Sequence, residues 1–203
     1  MVEAAPFGIV SSMKPLIAEY VLWGVWYVTW WAAAAWAAPV ARRARAGAQA
    51  LNYLMTGLGA VFLFAQNGRS PLRFSLLWRT PDAVAWALVA LTLGAFAFCW
   101  WARLHLGRLW SGSTTLKADH RVVDSGPYRL VRHPIYSGAL AAALAVAGME
   151  GTLGAFIGAA LLTLGFAGQA RGEEVFLKQE LGAASYEAYA ARTPMLLPWP
   201  RRG

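Results

Sequence analysis

The sequence predicts an all-α integral membrane protein, a bundle of about five transmembrane helices with a motif-bearing loop and a C-terminal helix. Three observations carry this. Hydrophobic residues make up 58% of the 203 and charged ones only 14%, a balance far from that of soluble domains. The apolar residues gather in long segments, and nothing alternates with the period of a barrel strand, so helices are left to satisfy the backbone within the hydrocarbon. Eleven Trp residues crowd near segment ends, as an aromatic belt would. The net charge of +8 comes with no nucleic-acid-binding motif. It is assigned to anionic lipid and to orientation, and no nucleic-acid partner is expected.

Residues 1–15, with Pro6 and Pro15, show no periodicity and are read as an irregular or interfacial lead-in. Residues 19–38 are about as long as a helix needs to cross the hydrocarbon core, and Pro39 with Arg42, Arg43 and Arg45 closes them. Trp23, Trp26, Trp30, Trp31 and Trp36 fit either an interfacial belt or a core cluster. No short apolar region with a small-residue cleavage pattern precedes them, so this is a retained span and not a signal peptide. The second span, residues 48–65, carries Gly57 and Gly59, small enough for close helix contact. Residues 67–81, with three arginines, two prolines and a glycine, form a loop. Asp82 is placed as the N-cap of the third span, accepting from Ala85, and that span ends at Arg103. The lone cysteine within it, Cys99, can form no intramolecular disulfide. With no ionisable neighbour until Arg103 to stabilise a thiolate, it is read as a small buried hydrophobe.

Residues 104–132 form a polar loop. Pro134 then suits a helix start, and residues 135–150 and 151–168 give a tightly packed hairpin of two Ala- and Gly-rich helices with Glu150-Gly151 between them. A last helix is expected from about Glu173 to Arg192. No repeat or low-complexity linker divides the chain. It is therefore one polytopic domain, 1–203, whose motif-bearing half is 103–203.

Between Asp119 and Gly138 the chain reads DHRVVDSGPYRLVRHPIYSG. Ser125-Gly126-Pro127 marks a turn, and Tyr128, Arg129, Arg132 and His133 lie between it and Pro134, with Tyr136 and Gly138 just beyond. By composition alone this is a juxtamembrane basic loop that touches lipid headgroups. The order of residues says more. SGPYRLVRHPIYSG at 125–138, RGEEVFL at 171–177, and then LG with Tyr186, Tyr189, Arg192 and Pro194 together resemble the isoprenylcysteine carboxyl methyltransferase family. The likeness covers the C-terminal half and extends more weakly through His105-Leu106-Gly107 and Trp110-Ser111. The same signature is shared with membrane methyltransferases acting on phospholipid amines and small thiols, and more loosely with sterol reductases.

The resemblance implies a membrane methyltransferase that uses S-adenosylmethionine, needs no metal, and methylates the carboxylate of an isoprenylcysteine or similar lipophilic acceptor. Phospholipid amines and small thiols are the nearest alternative acceptors; a sterol-reductase-like NADPH enzyme and a non-catalytic membrane scaffold stand further off. It also implies that His133, Tyr136, Glu173 and Glu174 bind the cofactor. Arg132 and Arg171 are the candidates for the catalytic role, since a guanidinium can grip the carboxylate of an acceptor, or of the cofactor, through two donors.

Each of these residues has a plainer use. His133 can cap backbone groups, and Tyr136 can anchor at the interface. The glutamates can complement a helix dipole, with Glu174 reaching Lys178 at the i,i+4 spacing. Arg132 and Arg171 can be positive-inside charge. The residues alone do not choose between Glu173 and Glu174. Tyr186 and Tyr189 share a helix face and are expected to pack the tail. His105 and Arg108 follow the third span and can line the site, although snorkelling also explains Arg108.

Fourteen of the 18 Lys and Arg residues fall in 39–47, 103–133 and 171–203, and the others are Lys14, Arg69, Arg73 and Arg79. The positive-inside rule then puts the motif loop and the C-terminus in the cytoplasm and the N-terminus outside. A compact, Ala-rich chain of this kind suits a bacterial inner membrane. A hairpin out and back also returns Glu173 and Glu174 to the face that His133 left. A reporter fused after residue 203 is expected to be active only on the cytoplasmic side; activity on the outer side overturns this orientation.

Overall fold

The structure, a computed structural model, describes residues 7–43, 46–66, 70–72, 74–112, 115–117 and 122–198. Six α-helices carry it: α1 (Phe7–Ala32), α2 (Ala50–Phe64), α3 (Asp82–Leu106), α4 (Pro134–Glu150), α5 (Leu153–Leu181) and α6 (Ala183–Arg192). Two short strands, β1 (Val40–Arg43) and β2 (Thr115–Lys117), pair antiparallel. The all-α expectation holds, with one small ladder added. The ladder joins the segment after α1 to the segment after α3, where two chains leaving neighbouring helices satisfy each other's backbone groups.

Some helix ends also differ from expectation. The lead-in is helical from Phe7, and Pro15 lies inside α1, where it costs a backbone bond without ending the helix. Glu19 thus sits well within α1, not at its start. Asp82 is the first residue of α3 after an N-cap at Pro81, and the Ala85 amide donates to the Pro81 carbonyl at 2.9 Å, not to the carboxylate. The acid still complements the positive end of the helix dipole. No separate helix begins at Glu173. Instead α5 runs unbroken from Leu153 to Leu181 and stops at Gly182, whose φ of 93° is a conformation that glycine takes freely and other residues resist.

Two helices, Asp82–Leu109 and Leu153–Glu180, are long and apolar enough to cross a bilayer. The apolar helices Ala50–Phe64 and Pro134–Glu150 are shorter, about 22 and 26 Å at 1.5 Å per residue, less than the roughly 30 Å of the hydrocarbon core. The bundle is turned inside out relative to a soluble protein. Val21, Val25, Val28, Leu51, Leu54, Leu58, Leu93 and Leu164 all face outward, while Ala139, Ala142, Ala143, Ala145, Ala147, Ala155 and Ala159 fill the interior. Small residues inside let backbones approach closely, and large ones outside meet acyl chains that are as apolar as they are.

The tightest seam is between α2 and α5. A Cβ built at Gly158 would stand 2.5 Å from the Leu63 amide nitrogen, and one at Gly59 would stand 2.8 Å from that of Leu162. Of the two α2 glycines singled out in the sequence, Gly59 makes the contact and Gly57 faces open space. On the other side Gly138 of α4 lets in Cys99 of α3, where a Cβ would lie 2.5 Å from the sulfur. Cys99 is fully buried, with its thiol 3.4 Å from the Ile135 carbonyl, in keeping with a small buried hydrophobe.

The tryptophans of α1 divide between the two uses that fit them. Trp23, Trp26 and Trp30 form a ladder with Phe96, in which the Trp26 and Phe96 rings stack at 4.8 Å. Trp31 and Trp36 point outward. Two buried polar side chains fix this ladder to α3. Glu19 accepts from Thr92 at 2.6 Å and from Trp23 at 3.2 Å. Arg103, 1% exposed, lies 3.7 Å over the Trp110 ring and donates to the Ala33 carbonyl at 2.5 Å. Its charge is thus stabilised by an aromatic face and a helix-end carbonyl.

Gly158→Ala is expected to lower stability by about 1–3 kcal/mol through overpacking. Gly57→Ala is expected to be neutral, or to add up to about 1 kcal/mol of helix propensity. Thermal unfolding in a single detergent checks both, and equal effects would contradict the seam.

Candidate functional site

Pro134 is the first residue of α4, and a proline disfavours the helical region for the residue before it. His133 accordingly lies outside the helix at φ −124° and ψ 64°, and its side chain caps nothing. It turns to α5. There its Nε2 is 3.1 Å from Glu174 Oε1 and its Nδ1 is 3.5 Å from Glu173 Oε2, so one imidazole bridges both carboxylates. The preceding residue engages the same helix. Arg132 meets Glu174 through Nε at 2.7 Å and Nη2 at 3.1 Å, the two-donor geometry that makes this pair strong.

The remaining guanidinium nitrogen, Nη1, donates to the carbonyls of Ala190, at 3.1 Å, and Thr193. These lie where α6 ends, and a cation there offsets the negative end of its dipole. Beyond them the tail is stitched on through backbone. The amides of Arg132 and His133 donate to Pro194 and Met195 at 2.8 and 3.1 Å, and Ser137 Oγ donates to the Leu196 carbonyl at 2.5 Å. Exposed Arg192 pairs with Asp124.

Glu173 takes a further bond, from the Tyr136 hydroxyl at 2.6 Å. The Tyr136 ring is sandwiched between His133 and Phe166 at interplanar angles of 10° and 9°, which gives a flat aromatic wall. Burial alone pushes the His133 imidazole toward neutrality, but hydrogen bonds and negative charge from Glu173 and Glu174 outweigh it and raise its pKa above the ordinary 6.5. The two acids therefore favour its protonated form.

A cavity of about 340 Å³ opens against this wall, within the size range of small-molecule sites. Arg132, His133, Tyr136, Gln169 and Glu173 give it a polar lining. Trp26, Trp30, Leu106, Trp110 and Ile135, which pack together as one apolar cluster, give it another. Tyr186 and Tyr189 of α6 close it, both buried and with rings at 87°, and Tyr189 donates to the Tyr128 carbonyl at 2.7 Å. The tail therefore packs through these tyrosines, as their spacing predicts.

The structure gathers His133, Tyr136, Glu173 and Glu174 into one cluster across some forty residues of sequence, and it separates the two glutamates. Glu173 lines the cavity, whereas Glu174 stands behind it, between Arg132 and His133. Both lie deep within α5, so neither complements a helix N-terminus, and Lys178 pairs with Glu187 at 3.5 Å instead of Glu174. Arg171 is exposed on α5 and does not line the cavity. His105 bonds Ser125 at 2.9 Å, and Arg108 is exposed. Sequence reasoning passed over Gln169, Tyr53 and Thr56. A signal for Gln169 was present, because it precedes Glu173 by four residues and so shares its helix face.

Among the described residues, two helices are long and apolar enough to cross a membrane, and the bundle holds a cavity with one charged and one aromatic lining. Residues 87–179, a little under half of the chain, match the model of the isoprenylcysteine carboxyl methyltransferase (ICMT) family. This stretch contains Arg132, His133, Tyr136, Arg171, Glu173 and Glu174, while α1, α2 and α6 lie outside it. A comparison with curated proteins finds no match.

Two outcomes follow from the ion-pair cluster. Glu174→Gln leaves Arg132 buried without its counter-ion and is expected to cost about 3 kcal/mol, with residues 193–198 becoming cleavable under limited proteolysis. A histidine pKa raised by folding adds stability that is complete below its unfolded value and is lost as pH rises through the folded one. Wild-type stability should therefore fall as pH climbs above about 6.5, and His133→Gln should flatten that slope. An unchanged slope in denaturation measured across this range would contradict the bridged imidazolium.

Proposed function

We propose that this protein is a five-span membrane methyltransferase that takes its methyl group from S-adenosylmethionine and passes it to the carboxylate of an isoprenylcysteine or a similar lipophilic acceptor. The observation that carries the proposal is a single cavity with two unlike linings. One carries an acid, an imidazolium and a flat tyrosine, and the other is a tryptophan-rich apolar surface. The residues fit the donor. Glu173 offers a carboxylate to an ammonium, His133 a cation to a carboxylate, and the Tyr136 ring a flat apolar face. When bound, S-adenosylmethionine supplies a methyl group already made electrophilic by its sulfonium.

The tasks left to the chain are alignment and exclusion of water. Tyr136 and Glu173 fix each other's orientation through their hydrogen bond, and His133 is fixed by both glutamates. Arg132 acts at one remove, holding Glu174 and the tail so that Tyr186 and Tyr189 close over the cavity. Arg171, two residues before Glu173 and outside the lining, has the position to meet an anionic group at the rim. The aromatic cluster shields the reacting centre and receives the apolar part of the acceptor. Eleven basic residues in 103–133 and 171–203, the segments that carry this site, support a cytoplasmic face, in a bacterial inner membrane.

A second reading, transfer to the amine of a phospholipid, is favoured by one observation. Among the described residues, both cations lining the cavity, Arg132 and His133, are already paired with Glu173 and Glu174. A carboxylate acceptor must displace those pairs or use the rim, whereas an ammonium faces aromatic rings and an acid directly.

Calorimetry with purified protein in detergent is expected to show saturable S-adenosylmethionine binding, weakened at least tenfold in Glu173→Gln, on the order of 1.4 kcal/mol or more. Labelled donor with a panel of prenylcysteine, phosphatidylethanolamine and alkyl thiol should then give label in the prenylcysteine. Label in the lipid amine alone would replace the carboxyl assignment by the second reading. Affinity for NADPH without affinity for S-adenosylmethionine would overturn both.

A further inference from the structure

The cavity has a polar station that the cofactor cluster leaves unused. Gln169 is 6% exposed yet contributes to the lining, and a hydrogen bond across to α2 holds its carboxamide. Its Nε2 donates to the Tyr53 hydroxyl at 3.3 Å, and Tyr53 donates its own proton to Gln49 Oε1 at 3.0 Å.

That contact decides which way the amide faces. Tyr53 has given its proton to Gln49, so its oxygen is left as an acceptor and the group that Gln169 offers it is N–H. The carbonyl oxygen of Gln169 makes no hydrogen bond among the described residues, and the side chain lines the cavity, where a ligand or water can supply the donor that this acceptor needs.

We propose that the Gln169 carbonyl oxygen is a specificity-determining acceptor, pre-set by Tyr53, that selects a ligand carrying an N–H donor. Two ligands carry that chemistry, the 6-amino group of the donor's adenine and, on the second reading of the acceptor, the ammonium of a phospholipid amine. The first arm rests on the methyl-donor reading. The station lies one helical turn from Glu173 on the same face of α5, beside the stacked rings of Tyr136 and Phe166, where a flat base is well accommodated. A site built to accept from N–H rejects an analogue lacking it far more strongly than an apolar pocket rejects a lost methylene.

The test uses two matched pairs of probes on the full chain in detergent. S-adenosylhomocysteine is compared with S-inosylhomocysteine, in which an oxo group replaces the amine, and phosphatidylethanolamine is compared with phosphatidylcholine, whose nitrogen has no N–H. Wild type is expected to prefer the adenosyl compound at least tenfold, and Gln169→Met to lose that preference. Tyr53→Phe, which frees the amide to rotate, should weaken it in part and serves where the methionine variant fails to fold. Loss of the ethanolamine preference alone would assign the same acceptor to the amine substrate. Both preferences surviving in both variants, or neither existing in wild type, would overturn the proposal. Wild type that binds neither nucleoside while Gln169 still governs the lipid preference would instead count against the methyl-donor reading alone.

Discussion

Two carboxylates on one helix facing two cations on the loop that begins another is the constraint on which this structure depends. Arg132 and His133 are adjacent in sequence, as are Glu173 and Glu174, and the four side chains close a compact cluster between the start of α4 and the far part of α5. The arrangement is economical with charge. Two positive and two negative groups nearly cancel, so the cluster leaves none of its own buried ions uncompensated, and the Arg132–Glu174 pair is geometrically ideal. Everything nearer the cavity inherits its position from this pair. His133 is aimed by Glu174, Tyr136 is aimed by Glu173, and the tail is held by the guanidinium nitrogen that Glu174 does not use.

The packing that brings these residues together works by subtraction. Because acyl chains solvate leucine as well as leucine does, no hydrophobic gain drives the helices together in lipid, and the contacts come from removing side chains where backbones meet. Gly59 and Gly158 draw α2 to α5, and Gly138 draws α4 to α3. The α4–α5 hairpin, turned tightly at Gly151, then returns α5 to the side where α4 began. With both ends of the hairpin fixed in this way, residues forty apart meet without a long loop to connect them.

Much of this was legible in the sequence, for identifiable reasons. The apolar segments and the turn residues between them mark the helices, and the out-and-back hairpin places His133 beside the glutamates before any coordinate is known. The ordered RHPxY and EE motifs select those residues from a loop that looks merely basic. Other features were not legible, because they depend on partners distant in sequence. Nothing local distinguishes Glu173 from Glu174; their separate roles follow from the rotation between neighbouring positions on a helix and from what lies opposite each. Arg103 reads in the sequence only as the residue that ends the third span, yet the rings of Trp110 and Trp30 hold it inside. The break at Gly182 was hidden because the preceding residues continue α5 with good helix formers, so the acids that seemed to open a helix lie deep within one. Gln169 carries no motif beyond its four-residue spacing to Glu173, and what it can do shows only when Tyr53 is placed across from it.

The stitching of residues 193–196 onto residues 132–137 has a consequence for how the protein is made. Helices α1 to α5 can pack as each emerges, since their seams use residues close in order of synthesis or already present. The polar wall cannot be finished on that schedule. Arg132 and His133 are synthesised some sixty residues before the carbonyls that accept from their amides, and until Pro194 and Met195 arrive those donors face solvent or headgroups. Assembly therefore has a fixed order, with the membrane part first and the small-molecule site last, so a partly made chain is anchored before it has a closed cavity.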